Sequence, residues 1–234
     1  MSNMLLVPTE SVLLGLQLPP DAPSLADSVA AAVRDGVARG LLVPGTTYSV
    51  YQLADELGVS RSPAREALLR LGEAGLVTIV RNRGFHVVRP TAHDVEEIFE
   101  VRLALEPAAA RRLCERGEDA AVAAVAAVGA AYHDLAVAAG CGDEPAFWRA
   151  DRAVHDRILR GAGNARAAVI VEQLRAATVL LGAPTTATGR SLLEICAEHE
   201  PVVRAVLSRN GAAAEAAMRT HLTRTGALLG EAAG

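Results

Sequence analysis

The stretch between residues 51 and 83 constrains the fold of this chain more than any other, and it reads YQLADELGVSRSPAREALLRLGEAGLVTIVRNR. Leu53, Ala54 and Leu57 recur at the spacing of a helix that is buried on one face. Gly58 is expected to end that helix, because glycine adopts the left-handed conformation after a helix without a Cβ penalty. The pattern predicts a short helix, a tight turn and a second helix.

The second helix carries two arginines near its start. Ser60 or Ser62 can cap it, and Arg61 and Arg65 lie one turn apart on one face. The inward face is predicted to consist of Ala64, Ala67, Leu68 and Leu71. A guanidinium group can hold a guanine edge or a phosphate with two hydrogen bonds. We therefore predict a helix-turn-helix that inserts Ser60, Arg61, Ser62 and Arg65 into the DNA major groove.

A basic hairpin is predicted to follow. Residues 76–80 are largely β-branched and residues 85–88 read as a returning strand, with a turn at residues 81–84 between them. A two-stranded wing of this kind would place Arg81 and Arg83 along a phosphate backbone or in a minor groove. The alternative is a helical hairpin with solvated arginines, but a basic wing at this distance favours DNA binding.

The segment LADELGVSRSPAREALLRLGEAGLV, followed by a basic glycine wing, resembles the N-terminal winged-helix domain of GntR-type transcriptional regulators. The resemblance implies that Arg61 and Arg65 contact DNA and that Gly84 lies at the wing tip. Tyr51 stands where the family often has an arginine. A DNA contact made at this position by relatives is therefore expected to be absent or different here.

Composition favours helices and excludes a non-specific nucleic-acid coat protein. The chain is 51% hydrophobic but only 3% aromatic, which suits packed helices better than a β-sandwich. All 23 basic residues are arginine, and the isoelectric point is near 5.9. This value argues against a non-specific nucleic-acid coat protein but not against a regulator whose positive charge lies on one small face. The three cysteines have spacing typical of reduced cytosolic thiols. The sequence shows no signal-peptide start and no run judged long enough to span a membrane, so we expect a cytoplasmic protein.

The fold class predicted is mainly α, with a winged helix-turn-helix of three helices and a two-stranded wing before an antiparallel bundle of six or seven helices. Residues 1–22 form a leader of unknown structure, either disordered or an arm whose leucines (Leu13, Leu14, Leu16 and Leu18) pack on a partner subunit. Residues 23–90 form the winged-helix domain, which begins with a helix over 24–40 that Ser24 caps. The apolar face of this helix is predicted to consist of Leu25, Val29, Ala32, Val33 and Val37. Residues 91–234 form an all-helical effector-binding and dimerisation domain. Its predicted helices span 92–116, 118–140, 143–162, 164–182, 189–209 and 211–230, and Thr91 and Asp94 resemble a capping box at the start of the first.

Four residues in the predicted bundle have the chemistry of a metal site. Asp151 and His155 are one helical turn apart, and His199 and His221 lie on two later helices. Metal sites in bundles are built from facing helices, and three imidazoles with one carboxylate suit Zn, Ni, Mn or a similar divalent ion. The alternative is a set of hydrogen-bonded buried histidines.

The segments FWRADRAVHDRILRGAGN, SLLEICAEHEPVVRAV and AAMRTHL resemble the effector domain of the FadR-like branch of GntR regulators, the FCD type. The resemblance implies metal coordination by the four residues named above, and it implies that Arg102 holds an effector carboxylate. Asn164 either caps the next helix or meets the effector. Glu106 and the pair Arg111-Arg112 are interpreted as solvated or interhelical charges.

The sequence thus predicts a homodimeric transcriptional repressor that has no catalytic residues. It would bind an inverted repeat in double-stranded operator DNA and release it when a small organic acid binds near the metal. One alternative is a metal-dependent hydrolase or lyase fused to a DNA-binding domain, although the general base of an H-E-x-x-H motif is missing. Another is a regulator whose metal is purely structural.

Overall fold

The computed structural model describes residues 15–19, 24–73, 75–80, 83–88, 91–180 and 189–233. The chain divides into two compact units, Met1–Arg89 and Pro90–Gly234. The helices are α1 (Leu25–Ala38), α2 (Val50–Glu56), α3 (Arg61–Glu73), α4 (Ala92–Glu115), α5 (Glu118–Cys141), α6 (Glu144–Gly161), α7 (Ala165–Leu180), α8 (Leu192–Leu207) and α9 (Gly211–Ala233). The strands are β1 (Thr47–Tyr48), β2 (Val77–Val80) and β3 (Gly84–Val87).

The first unit packs three helices around a small core, as the apolar spacing predicts. The Ser24 side chain caps α1 by accepting from the amide of Asp27, and Gly58 follows α2 with a φ of 63°. The predicted inward residues of α3 are all buried. One part of the predicted α1 face is wrong, because Leu25 lies at the first helical position and is 57% exposed.

The wing has a third strand that the sequence pattern did not predict. The sheet order is β1-β3-β2, and both pairings are antiparallel. Two residues are too few for an alternating pattern to reveal β1. Gly84 pairs with Val80 and has a φ of 121°, and a Cβ there would lie 2.0 Å from the carbonyl oxygen of Tyr48. Close approach of β1 therefore requires glycine at this position.

The described part of the leader packs on its own domain. Leu16 is 5% exposed and lies against Gly36 of α1. The amide of Gly15 donates to Glu56 at 3.0 Å, and its carbonyl accepts from Arg39 at 3.2 Å. Leu16 therefore packs on its own domain and not on a partner subunit, which was one of the two alternatives for the leader. Leu13 and Leu14 lie outside the described residues.

Within the described residues, the second unit contains six helices at the predicted places. Thr91 and Asp94 form the capping box that the sequence predicts at the start of α4, and Ser191 and Glu194 form another at α8. Helix α4 packs along α9, and α5 packs along α6 and α8. Fully buried large side chains from several helices fill the centre of the unit: Leu113, Leu135, Phe147, Ile158 and Met218.

Helix α5 corrects one expectation about apolar runs. By length and composition alone, the segment Ala121–Cys141 is long and apolar enough to cross a membrane. A core helix of a globular bundle passes the same test. Because α5 packs against α6 and α8 and buries Val128 and Leu135 completely, it forms part of the core of the second unit.

Candidate functional site

Five helices of the second unit bring a set of charged and imidazole side chains into its interior. Each of these residues is at most 9% exposed. The set consists of Arg102 and Glu106 from α4, Asp151 and His155 from α6, Arg175 from α7, His199 from α8 and His221 from α9. Buried polar groups are costly unless they are paired, so a concentration of seven points to a binding site. We call this set the buried cluster.

Three histidines form the centre of the buried cluster. One ligand atom from each of His155, His199 and His221 can be chosen so that all three lie within 4.8 Å of one another. The Nε2 atoms of His155 and His199 are 3.3 Å apart. The four residues predicted as metal ligands therefore share one buried cluster, since Asp151 Oδ1 lies 2.9 Å from His199 Nε2. Metal binding itself stays a prediction.

Hydrogen bonds to the outer ring nitrogens orient two of these imidazoles. His155 Nδ1 contacts the Glu106 carboxylate, and His199 Nδ1 lies 2.9 Å from the carbonyl oxygen of Ile195. Both partners are acceptors, so each Nδ1 donates to its partner, and in the neutral imidazole the lone pair that can bind a metal is then on Nε2. The Asp151 oxygen adds a third lone pair at that point. A cation placed among these atoms would remove their mutual repulsion.

A proton on His155 or His221 is a poor candidate for that cation. Burial and the nearby Arg175 guanidinium together lower the pKa of His155 to about 4, against the opposing effect of Glu106. Burial and the neighbouring imidazoles also hold the pKa of His221 well below its ordinary value. Neutral imidazoles are the form that binds a metal.

Of the two interpretations of Glu106, the interhelical charge is confirmed and the solvated charge is wrong, because Glu106 of α4 contacts His155 of α6. Its side chain is 1% exposed, and it accepts from Arg102 Nε at 2.6 Å as well as from His155. Burial alone would raise the pKa of Glu106, but the charge of Arg102 and the hydrogen bond from His155 outweigh that effect and hold the pKa below its ordinary value. Glu106 is therefore an ionised acceptor that fixes the His155 tautomer.

Arg175 is a member of the cluster that the sequence interpretation missed. Its guanidinium forms an ion pair with Asp151, whose side chain is 8% exposed. Burial would raise the pKa of Asp151, but the charge of the Arg175 guanidinium outweighs that effect and holds the pKa well below its ordinary value. The signal was available, because Ala168, Val171 and Arg175 recur at helical spacing on the buried face of α7.

Three polar atoms of the cluster are buried without a hydrogen-bond partner among the described residues. They are Arg102 Nη2, Arg175 Nε and His221 Nδ1. Each such atom costs about 1–3 kcal/mol when it stays unsatisfied. Two guanidinium donors and one imidazole nitrogen can all be satisfied by an anionic ligand and a cation. The residues present therefore fit a metal with an organic anion beside it.

Asn164, predicted to cap a helix or to meet the effector, has the first role in the structure. Its Oδ1 accepts from the amide of Ala167 at 3.0 Å at the start of α7. The residue is exposed. It is therefore not a member of the buried cluster, and its effector contact finds no support in this arrangement.

The first unit exposes the residues predicted to contact DNA. Ser60, Arg61, Ser62 and Arg65 are all exposed at the start of α3, and Arg83 is exposed before β3. Arg81 lies outside the described residues. By contrast, Arg70 further along α3 is paired with Asp27 at 2.8 Å and Glu66 at 2.6 Å.

The charge of α3 is therefore uneven. Within the described ranges, Arg61 and Arg65 have no acidic partner at ion-pair distance, whereas Arg70 has two. Uncompensated guanidinium groups near a helix start are suited to a phosphate or a guanine edge. Their contact with DNA stays a prediction.

Two family models cover most of the chain. Residues 25–87 match the family described as bacterial regulatory proteins, gntR family, and residues 97–224 match the FCD domain. The chain belongs to the GntR family. GntR helix-turn-helix domains bind DNA, and FCD domains bind small-molecule effectors and commonly metals. This GntR protein is therefore a transcriptional regulator.

Similar proteins agree with this assignment. An HTH-type transcriptional regulator of Agrobacterium vitis is 34% identical over 146 residues, which are 61% of this chain and 85% of that protein. The gluconate operon transcriptional repressor of Bacillus licheniformis is 39% identical over 85 residues, which are 36% of this chain and 35% of that protein. The solved structure of E. coli McbR/YncC has a TM-score of 0.75 at 20% identity, covering 91% of this chain and all of that one. This last likeness concerns the fold alone.

Proposed function

We propose that this GntR regulator is a cytoplasmic repressor that senses a small organic acid through a metal in the buried cluster. It acts as a homodimer on an inverted repeat in double-stranded DNA. Binding of the acid changes the relative free energy of the DNA-binding and DNA-free states and so releases the operator.

The observation that carries the sensing half is the convergence of atoms that can coordinate a metal. The Nε2 atoms of His155 and His199 and a carboxylate oxygen of Asp151 face one point, and His221 lies beside them. Three imidazoles and one carboxylate suit Zn, Ni, Mn or a similar ion and leave coordination positions for a further ligand. A metal held there supplies a positive charge and open positions that attract a carboxylate.

Arg102 is suited to hold the other end of that carboxylate. Its Nε donates to Glu106, which fixes the guanidinium, while Nη2 has no partner among the described residues. A donor that is already buried and oriented gains a full hydrogen bond when an anion arrives. Arg175 Nε also has no hydrogen-bond partner among the described residues, so it offers a second donor to the carboxylate.

The operator half of the proposal follows from symmetry and from a relative. A twofold protein that presents two copies of α3 reads a twofold DNA site. The relative from Bacillus licheniformis is named as an operon repressor, which supports the direction of control. Arg61, Arg65 and Arg83 are exposed and supply the positive charge for the DNA contact.

The DNA contact is tested by selecting duplexes from a random pool with the wild-type chain and then measuring affinities for the selected sequence. Arg61→Ala and Arg65→Ala should each weaken specific binding at least about tenfold, since a good base contact is worth about 1–3 kcal/mol. The matched control is Arg70→Ala on the same helix, whose charge is neutralised by Asp27 and Glu66. Unchanged binding by the first two variants would refute the assignment.

The sensing half is tested by measuring metal content and by titrating small mono-, di- and tricarboxylates into the protein–DNA complex. His199→Ala and His221→Ala should lose the metal and the acid response, whereas exposed His133→Ala should keep both. If removal of the metal unfolds the second unit and no acid alters DNA affinity, the metal is structural and the sensing proposal is wrong.

A further inference from the structure

An aromatic ring from α2 holds the exposed arginine at the start of α3. The Cζ atom of Arg61 lies over the Tyr51 ring, 3.9 Å from its centroid. Tyr51 is 53% exposed, so its ring is not a core side chain. At exposed sites this cation–π attraction is equivalent to a change of about two- to fivefold in an equilibrium constant.

The local fold fixes the position of the ring. Ser49 caps α2 by accepting from the amide of Tyr51 at 3.2 Å. Leu53 is fully buried and anchors α2, which packs against α3. Gly58, with a φ of 63°, turns the chain between the two helices. Tyr51 on one helix is thereby placed beside Arg61 on the next.

The contact orients Arg61 without neutralising it. A carboxylate partner would occupy the N–H donors and cancel the charge, as Asp27 and Glu66 do for Arg70 on the same helix. A ring face takes up the flat side of a guanidinium and leaves the charge and the in-plane donors available. Among the described residues Arg61 has no acidic partner at ion-pair distance, and its guanidinium contacts the Tyr51 ring instead.

We propose that Tyr51 is a positioning residue that orients Arg61 for a guanine edge in the major groove and so sets part of the operator specificity. This role rests on the proposed DNA binding. An arginine that is already oriented loses less side-chain freedom when it binds. Binding to DNA of unrelated sequence depends on charge rather than on base geometry. Loss of the ring therefore weakens specific binding more than non-specific binding.

The test is a double-mutant cycle in the full chain with the duplex that the wild type selects from a random pool. Tyr51→Leu removes the ring face but keeps an apolar side chain. It should weaken binding to the selected duplex about two- to fivefold for each bound copy and leave binding to a scrambled duplex unchanged. In an Arg61→Ala background, Tyr51→Leu should have no further effect.

Two controls separate positioning from folding. Tyr51→Phe keeps the ring and should bind both duplexes as the wild type does. Leu25→Ala removes a similarly exposed apolar side chain from α1 and should change the affinity for neither the selected nor the scrambled duplex. The role is refuted if Tyr51→Leu binds as tightly as the wild type. It is also refuted if both duplexes lose affinity equally, or if the loss persists without Arg61. If the wild type selects no duplex at all, the DNA-binding proposal itself fails and this role fails with it.

Discussion

The substitution Glu106→Gln tests the link between α4 and the proposed metal ligands. Glu106 accepts from Arg102 Nε and from His155 Nδ1 through two carboxylate oxygens. Glutamine has the same shape but offers only one oxygen, so its amide nitrogen must face one of the two donors. If it faces His155, the imidazole takes the other tautomer and its Nε2 carries a proton toward the metal position. Loss of such a supporting contact typically weakens metal binding about 10- to 100-fold.

The same substitution also leaves the buried Arg102 guanidinium without a counter-charge. Removing one partner of a buried ion pair costs about 3–5 kcal/mol in unfolding free energy. The double variant Arg102→Met with Glu106→Gln removes that charge, so it should recover stability while metal affinity stays low. This pair of measurements separates the stability effect from the tautomer effect.

The same helix supplies a matched control. Arg111 and Glu115 form an ion pair with the same i, i+4 spacing, at 2.7 Å, but their side chains are 53% and 55% exposed. Glu115→Gln should therefore change stability little and leave metal affinity unchanged. Metal affinity is measured by competition with a chelator, and stability by denaturant titration. If Glu106→Gln has no larger effect than Glu115→Gln, the structural argument for Glu106 is wrong.

Three further predictions use the same stability and metal assays. Gly84→Ala should destabilise the first unit by about 1–3 kcal/mol in denaturant titration, because its φ is 121° and a Cβ would meet Tyr48; full wild-type stability would contradict this. The free energy of unfolding of the metal-free protein should fall by up to about 3 kcal/mol between pH 7 and pH 4. The reason is that His155 takes up a proton near pH 6.5 in the unfolded chain but only near pH 4 in the folded chain. A free energy of unfolding that rises on acidification would contradict this prediction. Asn164→Ala should cost about 1 kcal/mol through loss of the α7 cap and leave metal affinity unchanged; reduced metal affinity would place Asn164 at the site.

The sequence predicts the helices well because their ends are chemically marked. Ser24, the pair Thr91 and Asp94, and Gly58 each satisfy or terminate a helix by local chemistry that needs no tertiary information. The strand β1 has no such mark. It forms only because β3 offers it an edge, and only Gly84 lets the two approach.

Sequence spacing alone does not predict which charged pairs of α4 are buried. Arg102–Glu106 and Arg111–Glu115 have the same spacing on the same helix, yet one pair is buried and the other exposed. That difference depends on which face of α4 packs against the other helices, a property of tertiary structure. Arg175 belongs to no motif, and only its spacing from Ala168 and Val171 places it on the buried face of α7.

The central claim is that the buried cluster holds a divalent metal, and anomalous X-ray diffraction from crystals of the full chain tests it most directly. The account predicts one anomalous peak about 2.0–2.2 Å from an Asp151 oxygen and from a nitrogen of each of His155, His199 and His221. A well-ordered cluster with no anomalous peak, in protein soaked with Zn, Ni and Mn in turn, would contradict it.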